Sequence, residues 1–196
     1  QPLILTIALD GNPDTIAPGD ILKGEVRFHN KSARAVEKAD VILSIDAPAK
    51  KKNSILSWDK LQVTGSPSIV GVQQSDTVRR GIITWTSKTI PTLETIAPNQ
   101  QGVFTFALPI KSGDTFDLST LDIASITLAL EVKAGEETAT AQPITLLLAA
   151  NTGITAGALK TGENISIQWN MNHSFHNLAA VKVTANLFGT IVWLDQ

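Results

Sequence analysis

The sequence predicts an all-β fold, an Ig-like β-sandwich module followed by a second, related and apparently incomplete module. Apolar and polar residues alternate with a period of two in many short segments, and turn residues separate those segments at short intervals. No segment keeps the helical spacing of apolar residues over three turns. The 196 residues suffice for one large domain or one and a half smaller ones.

The first two predicted strands show the alternation most clearly. Residues 1–9 place leucine and isoleucine side chains on one face of an extended segment. Residues 20–30 place Leu22, Val26 and Phe28 on one face and mostly charged side chains on the other, as in an antiparallel sheet with one face in water. Further segments with such a pattern are predicted as strands: 39–47, 81–87, 102–110, 125–132, 144–149, 164–170 and 181–187.

Residues 47–77 interrupt the regular spacing. The stretch is rich in Lys, Ser, Gly and Gln, and it contains the basic run Lys50, Lys51 and Lys52. We interpret it as a long excursion between strands, with short strands of its own near residues 55–58 and 68–72. The basic run is either a solvated loop, which we favour, or a contact that is specific to this module.

An internal repeat suggests the domain organisation. The sequence QPLILTIAL at residues 1–9 is echoed by QPITLLLAA at residues 142–150, and three further blocks match in the same order. The repeat predicts a first module over residues 1–141 and the first strands of a second module over residues 142–196. Alternatively, the two pieces look alike only because amphipathic hairpins often do.

A half module has an uncovered apolar face and unpaired edge strands. Three explanations are open: the chain is a fragment of a longer array, the half module packs on the first module, or strands of another copy complete it. We therefore expect protein partners or self-association through edge strands. The chain starts at Gln1, without an initiator Met, which we interpret as a processed or trimmed end.

Composition argues against several functional classes. The chain has 16 basic and 18 acidic side chains and no basic stripe, so nucleic acid is not an expected partner. The lack of cysteine excludes a disulfide framework, a thiolate zinc site and a cysteine nucleophile. The longest apolar runs, such as residues 144–150, are far shorter than the roughly 20 residues of a membrane-spanning helix.

Two groups of residues are weak candidates for a metal site. His173 and His176 are three residues apart, a spacing that could begin a metal site, but solvated turn histidines are the preferred interpretation. Asp114, Asp117 and Asp122 could supply oxygen ligands to Ca²⁺, but they lack the EF-hand spacing and fit an acidic loop. The sequence predicts no metal site and no cofactor.

Catalytic motifs are missing from the sequence. There is no Gly-x-Ser-x-Gly elbow, no phosphate-binding loop and no dinucleotide fingerprint. We therefore expect no catalytic residues and no enzymatic activity. The four tryptophans, Trp58, Trp85, Trp169 and Trp193, could form an aromatic platform for carbohydrate, but their position in apolar alternation favours packing in the core.

One region resembles a known family. Residues 17–30 (APGDILKGEVRFHN), followed by 39–47 and later by 96–106 (IAPNQQGVFTF), resemble strands of the bacterial cell-surface Ig-like tandem repeat modules, the CARDB-like conserved-repeat domains. The resemblance covers most of residues 1–133 and, more weakly, 142–195. It implies an extracellular or cell-surface spacer, adhesive or fibre-building role without chemistry, and it carries over no site residues.

Surface adhesins of similar architecture sometimes contain Lys–Asn isopeptide crosslinks, for which Lys23, Lys133 and Lys182 are candidates. The expected function is that of a structural or adhesive module of a bacterial surface protein or fibre. Two alternatives stay open: a β-sandwich that binds a glycan or a protein, and a fibre subunit that is completed by strand exchange.

Overall fold

The computed structural model describes residues 3–112, 115–116, 125–148, 153–161 and 164–172. Almost all regular structure within these ranges is β-strand, and two short 3₁₀ turns lie at Trp58–Lys60 and Pro91–Leu93. The strands are β1 (Leu3–Leu9), β2 (Thr15–Ile16), β3 (Ile21–Asn30), β4 (Val36–Glu37), β5 (Ala39–Lys50), β6 (Asn53–Ser54), β7 (Gln62–Val63), β8 (Ser68–Gln73), β9 (Val78–Trp85), β10 (Thr95–Ile96), β11 (Gln101–Pro109), β12 (Ser125–Ala134), β13 (Glu137–Thr140), β14 (Ile144–Leu148), β15 (Gly153–Thr161) and β16 (Asn164–Asn172).

Two sheets form the sandwich. The smaller one has the order β1-β3-β11-β7, and the larger one has the order β2-β14-β12-β5-β9-β8, with β13 paired to β12 and β6 paired to β5. Neighbouring strands are antiparallel except for β2 and β14, which run parallel. A separate two-stranded ladder joins β4 to β10.

The core lies between the inward-facing side chains of the two sheets. Residues with a period of two are buried along β3 and β5, which places Phe28 and Leu43 inside and Arg27 and Ile42 outside or half-buried. Trp85 of the larger sheet is fully buried and stacks on Phe104 of the smaller sheet, with ring centroids 4.7 Å apart. The prediction of an all-β sandwich is confirmed, because the alternation that predicts the strands also separates core from surface.

Asn30 closes one end of the sandwich. Its side chain is fully buried, and its amide nitrogen donates hydrogen bonds to the carbonyl oxygens of Arg34, Ile96 and Ala97 at 2.8, 2.9 and 3.2 Å. Its amide oxygen accepts hydrogen bonds from the backbone N–H and the hydroxyl of Ser32. A fully satisfied buried amide of this kind fixes the positions of two loops at once.

Most predicted strands match observed ones. The segments 1–9, 20–30, 39–47, 81–87, 102–110, 125–132 and 164–170 correspond to β1, β3, β5, β9, β11, β12 and β16, with shifted ends. The segment 68–72 is β8, while 181–187 lies outside the described residues. Around residues 55–58 the chain differs from the prediction: one bridge joins Leu56 to Ile110, and the 3₁₀ turn follows at once.

The pairing of strand β14 does not follow the predicted module boundary. Its residues, which the repeat places in the second module, pair with β12 over Ile144 to Leu147 and with β2 at Leu147 and Leu148. Buried Leu146 and Leu148 join the same core as Leu128. Strand β14 therefore belongs to the first sandwich, which extends to Leu148 at least. Its likeness to β1 has a physical reason, because both strands cover one core and need the same alternation of apolar residues.

The second module stays a prediction for residues 149–196. Within that part, the structure describes the hairpin of β15 and β16, in which Gly153 lies opposite Asn172 and Thr161 opposite Asn164. Ile167 and Trp169 of β16 are 38% and 44% exposed. In the described ranges, no helix has the length and apolar character needed to cross a membrane.

Candidate binding groove at strand β8

Strand β8 is the last strand at one end of the larger sheet. All six of its residues are exposed, including the apolar Ile69, Val70 and Val72, whose exposed fractions are 46%, 55% and 41%. Strand β9 covers one side of β8, and no strand of the described ranges pairs with the other side. Such an edge can accept an added strand.

The register shows which backbone groups of β8 face outward. The N–H of Gln74 donates to the carbonyl of Val78 at 3.0 Å, so this pair is hydrogen-bonded. In an antiparallel ladder, hydrogen-bonded and non-bonded pairs alternate. The N–H and C=O groups of Val70 and Val72 therefore face β9, and those of Ile69, Gly71 and Gln73 face the open side.

Arg79 partly shields this open side. Its guanidinium donates to the Gly71 carbonyl and to the Gln73 amide oxygen, both at 3.3 Å. The Arg79 guanidinium occupies the space that a side chain at position 71 would need, and glycine at this position leaves that space open. Both hydrogen bonds are long and go to neutral acceptors, so they hold the arginine only weakly.

A groove of about 290 Å³ lies between β8 and the chain segment 52–59. Trp58, at the start of the 3₁₀ turn, forms part of its wall and packs against the core with its inner side. The indole ring lies directly over Gly81 of β9, in the space that a Cβ atom at this position would need. Glycine at position 81 therefore allows Trp58 to lie flat on the sheet.

Three cations line the groove: Lys52, Arg79 and Lys111. The tight turn between β5 and β6, where Lys51 has a φ of 55°, brings Lys52 there. The Lys111 ammonium donates to the Asn53 side-chain oxygen at 2.6 Å and to the Ser54 carbonyl at 2.7 Å, which fixes it at the rim.

The groove has an excess of positive charge. Asp59 is the only acidic residue among its lining residues. Within the described part of the chain, none of the three groove cations forms an ion pair, unlike Arg27 with Glu25 or Arg80 with Asp46.

Arg80, the next residue along β9, has a different environment. It faces the opposite side of the sheet and makes two hydrogen bonds to Asp46, at 2.7 and 2.6 Å. The hydrogen bond and the charge of Asp46 raise the pKa of Arg80, against a smaller opposing effect of burial. Of the two adjacent arginines, only Arg79 is available to a ligand in the groove.

The three tryptophans in the described part of the chain lie in three different places. Trp85 is buried and its indole N–H donates to the Thr64 carbonyl at 2.7 Å, which confirms the core packing expected for it. Trp58 lines the groove, and Trp169 lies on the β15–β16 hairpin. Trp193 lies outside the described residues.

Other residues singled out in the sequence contribute no site to the described ranges. Lys23 and Lys133 are exposed, and Lys133 pairs with Glu131, so neither is the buried lysine that an isopeptide crosslink needs. No group of three or more His, Asp or Glu residues in the described part could hold a metal ion. The remaining candidates lie outside the described residues: Asp114, Asp117, Asp122, His173, His176 and Lys182.

The lysine run and the strand at 68–72 are recognisable in the sequence, whereas the role of Arg79 and the meeting of these features in one groove appear only in the structure. The pair Arg79-Arg80 contained a usable signal, because adjacent residues of a strand face opposite sides and only one could pair with Asp46. The other signal was Gly81, a strand glycine that marks a close approach of another group.

Comparisons with known proteins give distant structural matches. No family model matches the sequence, and no curated protein does. AvmM, which catalyses macrocyclization in alchivemycin A biosynthesis, matches with a TM-score of 0.48 at 10% identity, over 75% of this chain and 88% of that one. The C-terminal domain of AspA, an antigen I/II-family protein of Streptococcus pyogenes, matches with a TM-score of 0.46 at 9% identity, over 84% of this chain and 61% of that one.

A CARDB domain of Pyrococcus furiosus, solved in complex with di-metal ions, also matches. Its TM-score is 0.36 and its identity 14%, over 74% of this chain and 91% of that domain. It belongs to the kind of module that residues 17–30 resemble. Identities and TM-scores this low assign no function and no site.

Proposed function

We propose that this chain is a β-sandwich module of an extracellular or cell-surface structural or adhesive protein, and that it binds a protein partner without catalysing a reaction. The observation that carries the proposal is the open edge of β8, with exposed apolar side chains and outward-facing backbone groups beside a groove. Edges of this kind are normally covered or blocked unless they serve an interaction. The resemblance of residues 17–30 to cell-surface repeats supports the location.

The location can be tested on intact cells of the source organism. Antibodies raised against the 196-residue chain should label unpermeabilised cells, and protease added outside should remove the label. An antibody against a cytoplasmic protein serves as the control. Labelling that appears only after permeabilisation would contradict the proposal, and so would reproducible turnover of any compound in a broad hydrolase substrate panel.

A second candidate is glycan binding at the same groove. Trp58 offers part of an indole face, and Lys52 and Asn53 offer polar groups beside it. Binding on a glycan array that is lost in Trp58→Ala, while circular dichroism shows that the variant is still folded, would favour this function. Absence of any bound glycan would leave protein binding as the function of the groove.

A third candidate is a fibre subunit that is completed by strand exchange. The hairpin of β15 and β16 exposes Ile167 and Trp169, which favours an apolar contact with another copy. Light scattering over a range of concentrations tests it. Growth of mass with concentration that disappears when residues 149–196 are deleted supports a fibre, whereas a monomer at all concentrations contradicts it.

A further inference from the structure

We propose that β8 binds an extended acidic segment of a partner protein as an added strand, with alternate carboxylates of that segment pointing into the groove. This inference rests on the proposed function and names the chemistry of the partner. The groove, its charge and the outward-facing backbone groups of β8 together carry it.

The backbone supplies the first half of the recognition. Ile69, Gly71 and Gln73 present their N–H and C=O groups to the open side, as the register with β9 requires. The six residues of β8 span about 20 Å at about 3.3 Å per residue. An extended peptide laid along this edge would form a regular ladder with three residues of β8.

The two faces of β8 select different side chains. On one face lie Val70 and Val72, which are apolar and exposed. On the groove face lie Ile69 and Gly71, with Arg79 over the glycine, and Val70, which lies between them in the strand, is also among the lining residues of the groove. Because side chains of an added strand alternate in the same way, we expect its apolar residues beside Val70 and Val72 and its polar residues over the groove.

Charge decides which polar residues these are. Lys52, Arg79 and Lys111 all line the groove, and Asp59 is the only opposing charge among its lining residues. A carboxylate would meet complementary potential there, and an amine would be repelled. The partner segment that fits therefore alternates apolar and acidic residues.

Charge also argues against a second copy of this chain as the occupant. Two β8 strands paired about a two-fold axis perpendicular to the sheet would place both sets of groove cations on the same face of the joined sheet. Like charges directly across a strand pair are destabilising. An acidic segment removes this conflict.

Arg79 connects charge recognition to strand addition. In the free protein it covers the Gly71 carbonyl through a hydrogen bond of 3.3 Å. A carboxylate forms a shorter and roughly twofold stronger charge-assisted bond with a guanidinium. When Arg79 turns to the incoming acid, the Gly71 carbonyl becomes free to accept an N–H from the added strand.

Fluorescence anisotropy with labelled synthetic peptides tests the proposal on the full chain. The probe is a peptide of alternating Val and Asp. Its matched controls replace every Asp with Asn, every Asp with Lys, or methylate the backbone nitrogens on one edge. We expect the Asp peptide to bind about tenfold more tightly than the Asn peptide, and the Lys and methylated peptides to bind more weakly still.

Salt and protein variants locate the site. Raising the ionic strength from about 0.01 M to about 1 M shortens the Debye length from about 30 Å to about 3 Å, so affinity for the Asp peptide should fall. Arg79→Gln and Lys52→Gln should each reduce it severalfold. Lys60→Gln is the control, because it removes the same charge. Lys60 is exposed on the 3₁₀ turn that begins at Trp58, but it does not line the groove.

Several results would overturn the proposal. Equal affinity of the Asp and Asn peptides would contradict charge recognition, and equal affinity of the methylated peptide would contradict strand addition. An unchanged affinity in both groove variants would place binding elsewhere. Self-association that Val70→Lys abolishes, with no peptide bound, would make a second copy the occupant. If the peptides fail but intact cells are labelled, the surface role stands and only this inference is lost.

Discussion

The polar groups at the Asn30 end of the sandwich and those at the β8 edge have opposite environments. At Asn30, a fully buried amide has a partner for each side-chain atom. At β8, backbone groups of three residues face the open side, and all six residues are exposed. The difference separates the part of the molecule that maintains the fold from the part that is free to bind, so substitutions should affect stability in the first region and binding in the second.

The largest effect should follow the loss of Trp85. Trp85→Ala removes a buried ring and its stacking on Phe104, and we expect the free energy of unfolding to fall by about 3–5 kcal/mol. Urea unfolding followed by circular dichroism measures it. Trp58→Ala is the matched control, because Trp58 is only partly buried, and it should cost clearly less. Equal losses would contradict the division into two regions.

Asn30→Asp should come second and should depend on pH. The carboxylate would face the carbonyl oxygens of Arg34, Ile96 and Ala97, so ionisation is unfavourable and the folded-state pKa of the new acid rises above about 3.9. We expect a loss of about 2–3 kcal/mol at neutral pH. Because the pKa of the new acid is higher in the folded state, part of the lost stability returns when the pH falls below the unfolded-state pKa. It is lost again as the pH rises through the folded-state pKa.

Urea unfolding of Asn30→Asp at pH 4 and pH 7 checks this sign, with Asn53→Asp as an exposed control. A loss of unfolding free energy that is independent of pH, or larger at pH 4 than at pH 7, would show that the hydrogen bonds donated by the Asn30 amide are not essential.

Asp46→Asn should have a small effect. The Arg80–Asp46 pair is 38% and 28% exposed, and exposed pairs contribute about 0–1 kcal/mol. Since the pKa of Arg80 is raised above its ordinary value, its contribution is fully present below that ordinary value and is lost only as pH rises through the higher folded-state pKa. Stability attributable to Arg80 should be constant from about pH 5 to 9, and a titration within that window would contradict the assignment.

The smallest effect should come from the edge itself. Val70→Thr and Val72→Thr keep β-branched side chains on an exposed strand, and each should change the free energy of unfolding by less than about 0.5 kcal/mol. Ile83→Thr on the neighbouring strand is the buried control and should cost several times more. A large loss in either valine variant would mean that β8 is part of the stabilising core.

The sequence was sufficient to predict most of the long strands, because a strand between core and water must alternate, but it did not predict the nine-residue strand β15. It could not predict short strands such as β2 and β7, which have two residues each and carry no period. The repeat assigned β14 to the second module, and it could not show that this strand pairs with β12, since alternation records that one face of a strand is buried but not against which neighbour. The pairing with β12 is a long-range contact that only the fold reveals.

The groove was predictable only in pieces. Lys52 and β8 could be recognised separately, but their proximity depends on the register that places Gly71 opposite Gly81 and on the indole that covers Gly81. The opposite roles of Arg79 and Arg80 depend on Asp46, more than thirty residues away in the chain. Side-chain partners across strands are set by topology, which local sequence does not contain.

The parallel pairing of β14 with β2 has a consequence for synthesis on the ribosome. Thr15 and Ile16 meet Leu147 and Leu148, so the larger sheet cannot be completed until the 130 residues between Ile16 and Leu147 have been made. At about 5–20 residues per second, the strands of the sandwich that are made first wait for several seconds with apolar faces and open edges. During this delay the nascent chain exposes more unpaired strand edges than the finished sandwich, in which only an edge such as β8 stays open, so the risk of wrong pairing is greatest before β14 is made.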